Sequence, residues 1–164
     1  MTITKTPTQP TPTRGNNRAT QRVLHAGEGA SQPVLLDIIT TKYSDDIANL
    51  EVFEVAGPEG SGPPPHAHPW SECFYVLDGV VDVWVDDEHA RVEQGAFVQM
   101  PQGSTHHFAI VSKTARFLTI TDGRGAGKFF ADLATLGACA PDAEHLPAIV
   151  EIAKRNELTS PLFD

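Results

Sequence analysis

The sequence predicts an all-β domain, a sandwich or barrel of short strands, with helices confined to its carboxyl-terminal end. Three observations carry this expectation. From Val34 the chain breaks into short runs rich in Val, Ile, Thr, Phe and Tyr, the side chains that suit a pleated, half-buried surface. Turn-forming residues recur between those runs at close intervals, as antiparallel strands joined by tight connections require. A 3.6-residue apolar period emerges only beyond about residue 128.

Taken in order, residues 1–22 are rich in Thr, Pro, Asn and Gln with hardly any large apolar side chains, a composition for a flexible tail. Strands are expected near 34–41, 47–56, 72–78, 80–86, 89–93, 96–100, 105–112 and 115–121. Ser44-Asp45-Asp46, Asp78-Gly79, Asp86-Asp87-Glu88, Gln94-Gly95 and Pro101-Gln102-Gly103 supply the connections. Helices are expected near 128–136 and 143–158. The second carries Leu146, Ile149, Val150, Ala153 and Leu158 on one side against Glu151, Lys154, Arg155 and Asn156 on the other. Pro147 suits its first turn, where a missing amide proton costs nothing. The β body is therefore placed at 23–125, with 126–164 a helical extension packed outside it.

A chain of 164 residues suits one domain burying roughly 70% of its unfolded surface. The formal charge of -9 excludes nucleic acid and anionic membrane as main partners, since both need a positive footprint. Lys5, Arg14, Arg18 and Arg22 are the only charged side chains before Glu28, so the rest of the chain is more acidic still. No apolar run reaches membrane-spanning length and no secretory signal opens the chain, which makes a cytoplasmic location the expectation. Cys73 and Cys139 are too few for a disulfide framework and lack zinc-finger spacing.

Chemistry concentrates in two Gly- and Pro-punctuated segments. The first holds His66, His68 and Glu72 between Gly60 and Gly79; the second runs from Gly95 through Pro101 and Gly103 to His106. Strand residues two apart share a face and lie roughly 6.5 to 7 Å apart, so His66 and His68 can converge on one ion. Pro69 marks a bend that brings Glu72 back toward them, and a meander of strands delivers His106. The bland alternative makes the histidines polar barrel residues and Glu72 a solvated strand end. Burying three imidazoles and a carboxylate together without a cation is costly, which favours one metal site. Imidazole and carboxylate donors suit iron, manganese, nickel or zinc, with copper also compatible, rather than calcium or magnesium. Four protein donors close a tetrahedral structural zinc site, whereas higher coordination leaves positions open for chemistry.

The two segments resemble the paired motifs of the cupin superfamily, from Gly60 to Gly79 in the first and at Gly95, Pro101, Gly103 and His106 in the second. The usual terminal Asn of the second motif is Ile110 here. The resemblance implies a small double-stranded β-helix, a jelly-roll barrel of RmlC-like type. It also implies one metal per chain, held by His66, His68, Glu72 and His106, and pairing into a homodimer. The Ile152-Ala153-Lys154 to Ser160-Pro161 stretch is similar to single-domain cupins grouped with the quercetin dioxygenases. That likeness implies a metal-dependent dioxygenase with Glu72 as both ligand and proton acceptor. The expected substrate is small, planar and largely apolar, of enol or diketone type. A non-catalytic metal and small-ligand module is the alternative, and a metal-dependent isomerase, lyase or hydrolase is another.

Strand alternation places Phe74 with Glu72, and Phe108 and Ile110 with His106; Phe53, Met100, Leu118 and Ile120 complete the expected apolar chamber. Trp70 is read as edging the entrance or anchoring a dimer contact, and His107 as facing away from the ion. His25, His89 and His145 are read as ordinary exposed histidines. Gly123-Arg124-Gly125-Ala126-Gly127-Lys128 is no phosphate loop, because Asp122 stands at the first Gly position and Phe129 follows Lys128.

Overall fold

The computed structural model describes residues 23–45, 47–123, 125–161 and 163; the expected tail, residues 1–22, lies outside the described residues. The chain order is β1 (Ala30–Val34), β2 (Asp37–Asp45), β3 (Leu50–Pro58), β4 (Glu72–Asp78), β5 (Val80–Val85), β6 (Glu88–Glu93), β7 (Phe97–Met100), β8 (His106–Ile110), β9 (Thr114–Asp122), α1 (Gly125–Ala134) and α2 (Leu146–Arg155). One sheet has the order β1-β2-β3-β9-β4-β7 and the other β6-β5-β8. Every pairing between these strands is antiparallel, so the all-β expectation holds.

Several boundaries shift by two or three residues from the sequence reading, among them those of β3, α1 and α2, and two differences have a local cause. The run expected at 34–41 is a hairpin, with Val34 opposite Asp37 and Leu35 in a left-handed conformation at φ 55°. Two leucines make that turn. Neither is a turn-former, so local chemistry does not announce it. The turn expected at 44–46 falls later, because Asp45 stays in β2 and its carboxylate accepts the N–H groups of Ile47 and Ala48 at 2.8 and 3.1 Å.

The core lies between the two sheets. On β3 the buried face is Glu51, Phe53, Val55 and Gly57, on β4 Glu72, Phe74 and Val76, and on β9 Ala115, Phe117, Thr119 and Thr121. Phe74 packs against Phe117 at 4.7 Å and Phe108 at 5.6 Å between ring centroids. Gly79 makes the tight β4–β5 turn at φ 85°. A Cβ there would stand 2.5 Å from the Thr114 carbonyl oxygen, a distance that excludes any side chain.

Beyond β9 the chain turns helical. Phe130 of α1 meets Phe53 edge-on at 5.1 Å, and the Gly127 N–H donates to the buried Glu51 carboxylate at 3.0 Å. Pro147 sits in the first turn of α2, as expected. The buried stripe of α2 is Ile152 and Ala153. Leu146, where the helix begins, is 45% exposed. Asp132 ties the helices together, accepting from Lys128 at 3.0 Å, Arg155 at 3.1 Å and Asn156 at 2.8 Å. Those hydrogen bonds, Asn156 first, hold its carboxyl at about 2. After α2 the chain returns to the ligand segment, where Thr159 and Ala67 exchange backbone hydrogen bonds at 2.9 and 3.0 Å. Among the described residues no helix is long and apolar enough to cross a membrane.

Candidate metal centre

His66 and His68 lie in the connection between β3 and β4, Glu72 opens β4, and His106 opens β8. The two motifs are joined by backbone, not only by side chains. His66 and His106 exchange N–H···O bonds at 3.1 and 2.8 Å, and the Gly103 N–H donates to the His68 carbonyl at 3.1 Å. The Pro69 bend is held by the Ser71 N–H on Asp122 at 2.7 Å. Strand alternation then aims Glu72 inward with Phe74 and Val76.

Each imidazole is oriented the same way. Nδ1 of His66 faces the Pro64 carbonyl at 3.0 Å, that of His68 the Trp70 carbonyl at 2.8 Å, and that of His106 the Ser104 carbonyl at 2.9 Å. A carbonyl only accepts, so each Nδ1 must carry the proton and donate it. In the neutral ring that leaves the lone pair on Nε2, the arrangement found where a backbone carbonyl fixes the tautomer of a metal-binding histidine. One ligand atom from each ring lies within 4.8 Å of the other two. Donors around one ion, at bonds of roughly 2.0 to 2.1 Å, stand about 3 to 4 Å apart. The three histidines therefore can hold a metal ion with little movement.

Glu72 borders this triad on the side of His68 and His106, with Oε2 at 2.8 Å from His68 Nε2 and 3.7 Å from His106 Nε2. An imidazole lone pair and a carboxylate are both acceptors, so they tolerate such proximity only across a shared cation, a proton or a metal ion. Burial pushes the Glu72 carboxyl up, but hydrogen bonds from His106 and His68, donated when their Nε2 atoms carry protons in the metal-free protein, outweigh burial and hold it at about 2. Burial, and next the neighbouring His106, push His66 from the ordinary 6.5 down to about 4. His106 Nε2 is buried and has no hydrogen-bond partner among the described residues.

Of the seven expected chamber residues, Phe53, Phe74, Met100 and Ile110 are buried facing inward, and Phe108 packs on Phe74 and Phe117. Leu118 and Ile120 are corrected: they face outward. The inward side of β9 is set by Phe117, paired with Val55 and Val76, and carries Thr119 and Thr121 to the interior. Ranking by hydrophobicity chose the wrong phase of that strand. Thr119 and Thr121 were missed, although alternation from Phe117 points to them. Both hydroxyls are buried without a partner among the described residues, and Thr121 lies directly opposite Glu72.

Trp70 is also corrected. It is 5% exposed and stacks flat on His68, ring centroids 4.2 Å apart and planes 10° apart. Gly125 makes room for it, since a Cβ there would collide with the indole. His107 faces away from the cluster, as expected, and stacks on Trp84 at 4.4 Å, with His89 on the other indole face at 4.6 Å. His145 pairs with Asp142 at 2.8 Å. His89 and His145 thus have partners that their sequence context does not reveal. Arg124 lies outside the described residues, and Lys128 bonds Asp132 and Asn156 away from the ligands.

The Cupin domain family matches residues 52–121, the span that delivers all four of these side chains. These residues form a cupin domain. Quercetin 2,3-dioxygenase of Bacillus subtilis strain 168 is 26% identical over 102 residues, 60% of this chain. The match spans only 30% of that relative's length. KdgF from Halomonas sp. superposes with a TM-score of 0.58 at 19% identity, covering 64% of this chain and 96% of that one. An RmlC-like cupin from Shewanella frigidimarina gives 0.58 at 14%, with 64% and 93% covered. These two likenesses speak to the fold alone.

A pH dependence follows from His66. In metal-free protein the unfolded chain takes up a proton at this residue near 6.5, whereas the folded chain resists until about 4. Folding stability should therefore fall as pH drops from above 6.5 toward 4, by roughly 1 to 2 kcal/mol between pH 7.5 and 5. His66→Gln should flatten that slope in urea unfolding curves. A slope unchanged by the substitution contradicts the assignment.

Proposed function

We propose that this cupin binds one divalent transition metal through His66, His68, Glu72 and His106 and acts as an oxygenase on a small, planar, largely apolar substrate of enol or diketone type. The observation that carries the reading is the convergence of one ligand atom from each of His66, His68 and His106, each ring oriented by an Nδ1–H bond to a backbone carbonyl, with the Glu72 carboxylate beside the Nε2 atoms of His68 and His106. Iron, manganese, nickel or copper bound there would polarise a substrate oxygen and bring redox capacity toward dioxygen, whereas zinc would supply polarisation alone.

The chain's own residues do the rest. Phe74 and Phe108 offer aromatic surface to a flat substrate. The Thr119 and Thr121 hydroxyls, lacking partners among the described residues, can donate to its oxygens. Glu72 would ligate the metal as the carboxylate and accept a hydrogen bond from a substrate hydroxyl, keeping that group polarised. Likeness to quercetin 2,3-dioxygenase over 102 residues supports the oxygenase reading. The second reading is a closed, non-catalytic zinc site, favoured by the presence of four candidate protein donors. Metal-loaded protein should consume oxygen with a flavonol or an enolised 1,3-diketone, and Glu72→Gln should slow uptake at least about a hundredfold. Absence of uptake across a broad panel of such compounds counts against the oxygenase.

We also propose a homodimer that pairs the outer face of the six-stranded sheet. Val52, Leu118 and Ile120 lie on that face, flanked by Ile38, Tyr43, Tyr75 and Phe97 at 46, 39, 41 and 53% exposure. Six strands at about 4.8 Å spacing span about 24 Å, the scale of an interface burying roughly 800 Å² per partner. Two copies each carrying -9 repel, but here Glu54 is balanced by Lys42 at 3.1 Å and Arg116 at 3.2 Å. Light scattering should give twice the 17.7 kDa chain mass, and Tyr75→Lys with Phe97→Lys should give the monomer. A monomeric native protein contradicts the pairing.

A further inference from the structure

A cavity of about 420 Å³ adjoins His66, within the size range of small-molecule sites. Its wall is formed by His66, Thr105, Lys154 of α2, residues 158–161 and Phe163. None of the described residues of this wall is acidic, in a chain that holds 21 Asp and Glu against 12 Lys and Arg. Lys154 is the wall's one lysine. Of the three basic residues on α1 and α2, Lys128 and Arg155 are both engaged by Asp132. Lys154 makes no ion pair among the described residues, leaving its ammonium available at the cavity.

The apolar part of the wall is Leu158, Pro161 and Phe163. This segment is built into the fold: Thr159 pairs with Ala67 through two backbone bonds, and the Ser160 hydroxyl donates to the Pro65 carbonyl at 2.7 Å. Ala67 lies between His66 and His68, so the cavity wall and the histidine cluster share one stretch of backbone. His66, moreover, is the ligand of the triad that is only half-buried; His68 and His106 are buried. A cavity whose described wall holds a lysine with no ion pair among the described residues, no acidic side chain, an apolar side and an imidazole of the cluster has the chemistry of a site for an amphipathic anion.

We infer that this cavity binds a small carboxylic acid with an apolar body, its carboxylate on Lys154 and its body against Leu158, Pro161 and Phe163. The inference deepens the oxygenase reading and rests on it for the role of the ligand: the substrate carries a carboxylate in addition to the oxygen presented to the metal. A neutral flavonol lacks that group.

The test uses phenylacetate and its uncharged isostere phenylacetamide as probes, with binding to the full chain followed by ligand-observed NMR and calorimetry. Metal content is determined separately in every sample. Native protein should bind phenylacetate at least about tenfold more tightly than phenylacetamide, the worth of one charge-assisted hydrogen bond. Lys154→Met should abolish the preference and Lys154→Glu should reverse it, while Lys113→Met, an exposed lysine outside the cavity wall, should leave it intact. Equal affinity for the two probes, no binding of either, or a preference that survives Lys154→Met overturns the inference. Failure of metal uptake would instead sink the metal reading, and the comparison of acid with amide would still decide this one.

Discussion

Three imidazole lone pairs and one carboxylate turned toward a common point inside a protein repel one another unless a cation lies among them. That constraint organises this molecule. The backbone carbonyls of Pro64, Trp70 and Ser104 each take an Nδ1 proton, so the rings cannot relieve the conflict by changing tautomer. The bridge between His66 and His106 locks the two segments together. Trp70 on the His68 ring and the Thr159 bridge to Ala67 remove the remaining freedom of the first segment. A site this constrained is preorganised for a metal, because little conformational entropy is left to lose when one binds.

Strand β9 shows a second kind of constraint. It sends Thr119 and Thr121 inward and Leu118 and Ile120 outward, the reverse of the usual arrangement for a sheet with one solvated face. Each side of the inversion fits a use. The inward hydroxyls stand beside Phe74 and Glu72, where a polar ligand has need of donors. The outward apolar side chains lie in the middle of a sheet face whose charges are already paired.

Much of this was legible in the sequence, and the remainder was hidden for physical reasons. Spacing brought His66, His68 and Glu72 to one place, because a two-residue step on a strand and a proline bend leave few alternatives, and the likeness of the second segment to a cupin motif added His106. The alternation of Glu72, Phe74 and Val76 was equally plain. The Leu35-Leu36 turn was not, since nothing about leucine marks it and the pairing of Pro33 with Ile38 imposes it from outside. The faces of Leu118 and Ile120 were misread because hydrophobicity and phase conflict on β9, and register decides. Trp70 on His68, and Lys154 at the cavity beside His66, depend on helices packing from far along the chain, which no local pattern encodes.

The helices are thus part of the site as well as of the fold. Asp132 joins α1 to α2 through Lys128, Arg155 and Asn156, and that clamp sets where Lys154 and the segment after it stand. Yet the site itself is built to hold an ion. X-ray absorption spectroscopy combined with elemental analysis, on protein purified without added metal, tests this most directly. One first-row transition metal per chain with about three imidazole nitrogens and oxygen neighbours is the predicted result. Protein that holds no metal and takes none up when it is supplied, or a metal bound through sulfur, would contradict the account.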